Sequence, residues 1–525
     1  MCRPSPQAGL EQSIRSALVL SARISAILFA IMSAILTPSL RASEAPISAE
    51  EYASRRAQLL ETAGPDSLIL LFSPVAPHRN GDVTWPFRQE DNLHYLTGID
   101  HPGITLALLP GEESHRGVLF APDRDPRREI WDGRIPTHDE VRAISGVDEV
   151  VTNTRLGAFL DAALTGGWWG ETKLYRYYRP PGLPQFSKAV EDGRAVVWML
   201  LGDRSHDGPL TSEQTRARDL RHRFPELKFR DATPVLEAMR EVKSPAEIAL
   251  LRRAIGITCE AVRAGMLRAR EAEWEYQVQA TIEHVFRDRG ACCWGYGSIV
   301  AAGANATTLH YVTNDDRIPR DGLMLFDVGA EVEHYTADIS RTFPVNGTFS
   351  KPQKEIYQAV LRAWNEGLKL MKPGSSLKEV HLHTLEVFEE ELTKLGLITE
   401  AVQKQVELYY MHGLGHPIGM FVHDVFDRTR PLEPGMVVTL EPGLYVRRAD
   451  VEASEVFREL PEDQQATIRK ALDRYEGIGV RIEDDILITD GEPEVLSEGL
   501  PRTVEDLEGF LAQKGPRSSS SSDNR

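Results

Sequence analysis

The stretch Leu323–Thr342, LMLFDVGAEVEHYTADISRT, constrains this chain more than any other. Its apolar runs predict two strands joined by a tight turn. Asp327 falls near the end of the first strand and Asp338 in the second. With the turn centred between Val332 and Glu333, the two aspartates face each other across an antiparallel pair. Opposed residues share one face, with Cβ atoms about 5 Å apart. Two carboxylates held that close repel each other unless a cation lies between them. A surface hairpin with two solvated acids fits the same pattern, so the rest of the chain has to decide.

Three further segments carry ionisable groups in otherwise apolar surroundings. Met411–Asp424, MHGLGHPIGMFVHD, holds His412, His416 and His423; Met436–Tyr445, MVVTLEPGLY, runs into Glu441. Gly479–Thr489, GVRIEDDILIT, carries Arg481 and Glu483 two residues apart, hence on one strand face. A buried carboxylate must be paired, protonated or bound to metal. Asp327, Asp338, His416, Glu441 and Glu483 together offer four carboxylates and one imidazole. That oxygen-rich set suits two divalent ions, Mn²⁺, Co²⁺, Fe²⁺ or Zn²⁺, rather than a thiolate-preferring ion. Two such ions balance the four negative charges, and a hydroxide between them is a nucleophile near neutral pH. Taken singly, each position has an ordinary reading: Glu441 as a turn acid before Pro442, Arg481 as a lone strand charge. Five filled positions together argue against coincidence.

At 525 residues the chain predicts two or three domains. Its net charge of −18 argues against nucleic acid as a partner. The cysteines, Cys2, Cys259, Cys292 and Cys293, include no Cys-x-x-Cys pair and read as buried apolar thiols. Arg3, Arg15 and Arg23 precede the uncharged run Ile24–Leu40, with small residues at Ala42 and Ala45. Residues 1–45 therefore read as a secretory signal for export, to a periplasm, or as an uncleaved membrane anchor. From 46 to 232, helical and strand patterns alternate in an α/β domain. Ser244, with Pro245 behind it, caps a helix at the junction. From 236 to 510, long amphipathic helices (255–269, 273–289) lead into an α+β domain. The tail 513–525, with its serine run, reads as disordered.

These segments resemble the pita-bread metallopeptidases, in the Xaa-Pro aminopeptidase (aminopeptidase P) and prolidase branch. The resemblance is carried by LHY at 309–311, DVGAEVEHYTADISRTFPVNG at 327–347, HGLGHPIGMFVHDV at 412–425, TLEPGLY at 439–445 and GIGVRIEDDILIT at 477–489. KSPAEIALLRRA at 243–254 opens the catalytic domain in the family manner, and WPFRQEDNLHYLTG at 85–98 with REIWDGR at 128–134 resemble the family's first domain. The resemblance implies an α/β N-terminal domain followed by an α+β pita-bread (creatinase/aminopeptidase-like) catalytic domain. It implies that Asp327 binds one metal in bidentate fashion, that Asp338 and Glu483 bridge, and that His416 and Glu441 bind the second. Glu441 would also be general base. His310, His412 and His423 would contact the scissile carbonyl and its oxyanion, and Arg481 would orient carboxylates. The implied substrates are peptides with proline second, and the first domain would limit access so that a free N-terminus reaches the metals. A homo-oligomer, dimer or tetramer, is implied, with Trp131 and Asp82 reaching a neighbouring pocket. An Xaa-Pro dipeptidase and a non-catalytic pita-bread binding protein are the alternatives. Pro417 and Phe421 depart from the family pattern, and an insertion at Arg447–Tyr475, helical in its later part, either covers the pocket or meets another subunit.

Overall fold

A computed structural model describes residues 47–169, 182–202, 208–427 and 430–512. The expected signal segment 1–45, Cys2 and the tail 513–525 lie outside the described residues. Among those described, no helix is long and apolar enough to cross a membrane.

Helix α1 (Ala49–Ala63) starts where Ser48 accepts the Glu51 N–H at 3.2 Å. Six strands follow: β1 (Ser67–Phe72), β2 (Thr105–Leu108), β3 (Gly117–Ala121), β4 (Glu149–Thr152), β5 (Val196–Met199) and β6 (Lys228–Asp231). They form one mixed sheet in the order β4-β3-β2-β1-β5-β6. β1–β2 and β2–β3 are antiparallel and the other pairs parallel. The sequence SLILLF of β1 does not alternate because both faces of the sheet are covered. Leu68 and Leu70 pack with Phe120, Phe159 and Trp169 on one side. Ile69 and Leu71 belong to a second core that runs on into the C-terminal half. That shared core includes Leu93 and Leu96 of α2 (Asp91–Thr97), Leu236 of α3 (Thr233–Glu241) and Leu250 of α4 (Pro245–Ala269). Ser244 and Glu247 form the capping box of α4, and the helix expected from Ile255 is its continuation.

The C-terminal half is built around β7 (Ile299–Ala302), β8 (Leu323–Val328), β9 (Ala330–Val332), β10 (Tyr335–Thr336) and β11 (Ile339–Pro344). Helices α5 (Glu275–Asp288), α6 (Lys351–Leu368) and α7 (Leu377–Leu395) flank these strands in sequence. In the hairpin, β8 pairs with β11 so that Asp327 lies opposite Ser340, and Val332 lies opposite Tyr335. The turn is centred between Glu333 and His334, one residue later than the sequence suggests. Asp338 is therefore diagonal to Asp327 rather than opposite it. The pairing moves by two residues, an even number, so both aspartates keep the same face.

The tip explains the shift. Glu333 and His334 have φ of 48° and 70°, left-handed values that a type I′ hairpin turn needs and that residues with a Cβ adopt at a cost. Contacts from the N-terminal half offset that cost. His334 Nδ1 lies 3.0 Å from Asp91 Oδ1, and its ring stacks on His94 with centroids 3.9 Å apart. Arg88 reaches both Asp91, at 2.7 Å, and Glu331, at 3.1 Å. A second clamp is wholly buried: Arg240 donates to Asn92 Oδ1 at 2.8 Å and to Asp424 Oδ1 at 2.6 Å, with Lys243 3.3 Å from Asp424.

Burial opposes protonation of His334, but bonds to Asp100 and Asp91 outweigh it and raise the imidazole to about 9. Burial holds the stacked His94 down at about 3. A histidine with a raised folded pKa stabilises fully below its unfolded value, about 6.5, and ceases to do so as pH rises through the folded value. Stability should therefore fall between pH 6.5 and 9 by an amount on the order of 3 kcal/mol. His94 does not titrate in that window. Urea unfolding of wild type and His334→Asn across this range checks it: the variant should be less stable at pH 6.5, and its stability should fall less steeply with pH than the wild type's by the His334 share.

Candidate metal centre and active site

The five expected donors come from separated stretches and line one cavity of about 790 Å³. Asp327 is the penultimate residue of β8, and Asp338 precedes β11. Glu441 follows β12 (Val437–Leu440), which is succeeded by β13 (Gly443–Tyr445). Glu483 lies between β14 (Gly479–Arg481) and β15 (Asp484–Leu487). His416 is in a loop pinned to β12: its N–H donates to Thr439 Oγ1 at 3.1 Å, and the Thr439 N–H donates to His416 O at 2.8 Å. This approach needs glycine at 415, where a Cβ would stand 2.1 Å from Thr439 O.

Asp338, His416 and Glu483 each bring a ligand atom within 4.8 Å of the others. His416 Nε2 is 3.4 Å from Asp338 Oδ2 and 3.6 Å from Glu441 Oε1. Its Nδ1 lies 3.0 Å from Pro417 O. A carbonyl can only accept, so Nδ1 carries a proton and Nε2 is turned to the carboxylates, where it would offer a lone pair once its own proton is given up to a metal.

Arg481 stands among the acids. Its Nη2 pairs with Asp327 Oδ2, Nε donates to Ser340 Oγ at 2.8 Å, and Nη1 donates to Tyr445 OH at 3.0 Å. Ser340 in turn donates to Glu483 Oε2 at 2.7 Å, and Tyr296 OH to Asp338 Oδ1 at 2.5 Å. Burial, with the neighbouring acids, raises Asp327 and pushes Glu483 well above its ordinary value. Burial takes Glu441 to about 7. His416 rises to about 9 because its bond to Asp338 outweighs burial. Asp327 Oδ1 is buried with no hydrogen-bond partner.

His310, His412, His423 and Arg481 line the same cavity. His412 is more tightly committed than its sequence suggests: Nδ1 lies 2.7 Å from Gly413 O and Nε2 2.9 Å from Tyr445 OH. Burial holds it near 3, hence neutral. His423 packs edge-on against His416 with centroids 4.3 Å apart, and burial lowers it too. Pro417 lines the cavity, whereas Phe421 covers the Arg240 guanidinium at 4.8 Å. Described residues of the N-terminal half do not line the cavity, nor do those of 447–475. The insertion's helix α8 (Glu462–Tyr475) packs outside, where Tyr475 OH donates to Glu355 of α6 at 2.8 Å. Trp131 is 86% exposed.

Sequence reasoning missed Tyr296, Ser340, Tyr445 and Asp485. Asp485 Oδ2 accepts the Asp338 N–H at 3.1 Å, and burial raises this acid strongly. The doublet Asp484–Asp485 inside an apolar strand was an available signal; nothing local distinguishes Tyr296.

Residues 249–490 match the model of metallopeptidase family M24, and 52–167 match that of the aminopeptidase P N-terminal domain. The chain is 34% identical to the Xaa-Pro aminopeptidase of Haemophilus influenzae, over 89% of this chain and 98% of that one. The chain belongs to the aminopeptidase P family of M24 metallopeptidases. Among solved structures, the Pseudomonas aeruginosa aminopeptidase gives a TM-score of 0.74 at 33% identity, covering 89% of this chain and 98% of that one. Escherichia coli aminopeptidase P, in a complex with substrate, gives 0.73 at 32%, covering 89% and 99%. As an M24 aminopeptidase the chain uses divalent metal, and its site fits one. The unpartnered Asp327 Oδ1, the acids raised by burial and by one another's charge, and His416 Nε2 all belong to the same cavity.

Tyr296 bonds the carboxylate without facing the ion space as a donor atom. Tyr296→Phe should weaken metal affinity about 10–100-fold while the chain stays folded; calorimetric Mn²⁺ titration with circular dichroism measures both.

Proposed function

We propose that the chain is a dinuclear-metal exopeptidase that releases the N-terminal residue from peptides with proline in second position. The observation carrying this reading is the convergence of Asp327, Asp338, His416, Glu441 and Glu483 on one cavity, with Arg481 among them. These five residues would hold two divalent ions, with Mn²⁺ favoured by the oxygen-rich donor set. When bound, such ions supply a nucleophile from water at neutral pH and polarise the scissile carbonyl.

The chain's own groups account for the rest. Glu441, near 7, is poised to take a proton from the attacking water and return it to the proline nitrogen, which has no proton of its own in the peptide. His423 and His310 face the cavity, and among the described residues neither has a hydrogen-bond partner, so both can donate to the carbonyl oxygen. His412 and Tyr445 transmit the position of Arg481, which keeps Asp327 in place. An Xaa-Pro bond offers no N–H, and attack at the carbonyl does not require one. The relatives named Xaa-Pro aminopeptidase support the proline preference. The exposed Trp131 and Ile130 support a homo-oligomer, and the sequence of 1–45 supports export.

The test is hydrolysis of an Xaa-Pro-Yaa tripeptide beside an Xaa-Pro dipeptide, before and after metal removal. Tripeptide cleavage should vanish with a chelator and return with Mn²⁺; cleavage of the dipeptide alone would make the chain a dipeptidase. Glu441→Gln should lower kcat by about 10²–10⁴-fold. Retained kcat in that variant would remove Glu441 as the proton carrier.

A further inference from the structure

A second group of metal-ligand atoms lies apart from the cavity, at the seam between the N-terminal half and the catalytic hairpin. Cys292 Sγ, Cys293 Sγ and a Glu331 carboxylate oxygen all lie within 4.8 Å of one another, and none of these residues lines the catalytic cavity. We propose that Cys292, Cys293 and Glu331 form a second cation site, one that takes a soft divalent ion of the Zn²⁺ or Cd²⁺ type.

The expectation of buried apolar thiols fails here: Cys292 is exposed and Cys293 half-buried, and both are free. Their local structure explains the cluster. The strand Cys293–Trp294 pairs with β9, placing Cys293 opposite Glu331, so those two side chains share a face. Cys292 lies just outside the strand and escapes its alternation. Its N–H donates to Glu331 O at 3.0 Å, and its Sγ comes within 3.0 Å of Cys293 Sγ and 3.6 Å of Glu331 Oε1.

Adjacent cysteines are poor partners for each other. Neighbouring Cα atoms are about 3.8 Å apart, less than the usual disulfide span of about 4.4–6.8 Å. The pair therefore stays available as thiols. Charge also fits. Two thiolates and the Glu331 carboxylate carry three negative charges; Arg88, 3.1 Å from Glu331, supplies one positive charge and a divalent ion the other two. Arg88 further fixes the carboxylate, as outer partners of metal ligands do. Thiolate donors prefer softer ions than the carboxylate-rich catalytic set. The two sites thus sort ions between them. A short path joins them: Gly295 N–H donates to Gly329 O at 2.9 Å, and Tyr296 bonds Asp338.

The experiment titrates the full-length, Mn²⁺-loaded protein with Cd²⁺ and follows the thiolate-to-cadmium charge-transfer absorption. A band saturating at one equivalent, with release of about two protons per ion, is expected. The double variant Cys292→Ser/Cys293→Ser should lose the band and keep its peptidase activity. Glu331→Gln should weaken binding about 10-fold or more. Should the double variant not fold, Cys292→Ser alone, at the exposed position, must lose the band. Absence of the band in wild type, or its survival in the cysteine variants, overturns the site.

Discussion

Arg481 meets the demand that four buried acids make on this fold. Its guanidinium reaches Asp327, Ser340 and Tyr445 at once, and through Ser340 it governs Glu483. Arg481 and a protonated His416 together still leave the four carboxylates short of two positive charges. Dry and short of positive charge, the acids are driven toward holding protons, and burial followed by their mutual repulsion raises Asp327, Glu441 and Glu483. Divalent ions would replace those protons, so occupancy of the site and acidity of the medium compete.

The N-terminal half contributes no described residue to the cavity wall, yet it holds the wall in place at two points. One is the hairpin tip, where Asp91 and the stacked His94 keep His334 in a left-handed turn. The other is Asn92, which accepts from the Arg240 guanidinium that, with Lys243, also holds Asp424 beside His423, the charged side chains being almost fully excluded from water. Both clamps start from the segment Arg88–Asn92, which the sequence marked by its resemblance to the family's first domain but gave no part in holding the site. Ion pairs this buried are costly to break singly, because the partner left behind remains charged and dry.

Much of this was legible in the sequence. The strands around Asp327, Glu441 and Glu483 announced themselves because an acid interrupted each apolar run, and the helix starting behind Ser244 carried its N-cap and Pro245. The turn position was not legible. Local residues gave no glycine to mark it, and the contact that fixes it comes from Asp91, far away in sequence. The same is true of Tyr296: a tyrosine between glycines looks ordinary until the fold sets it on Asp338. The insertion's helix could be read from its pattern, but where it packs depended on Glu355 in another helix.

The donors span Asp327 to Glu483, and no short fragment of the chain contains them all. An extended or half-finished chain therefore has no pocket for its ions, only scattered acids like any others. Metal capture becomes one of the last events of folding rather than a nucleus for it.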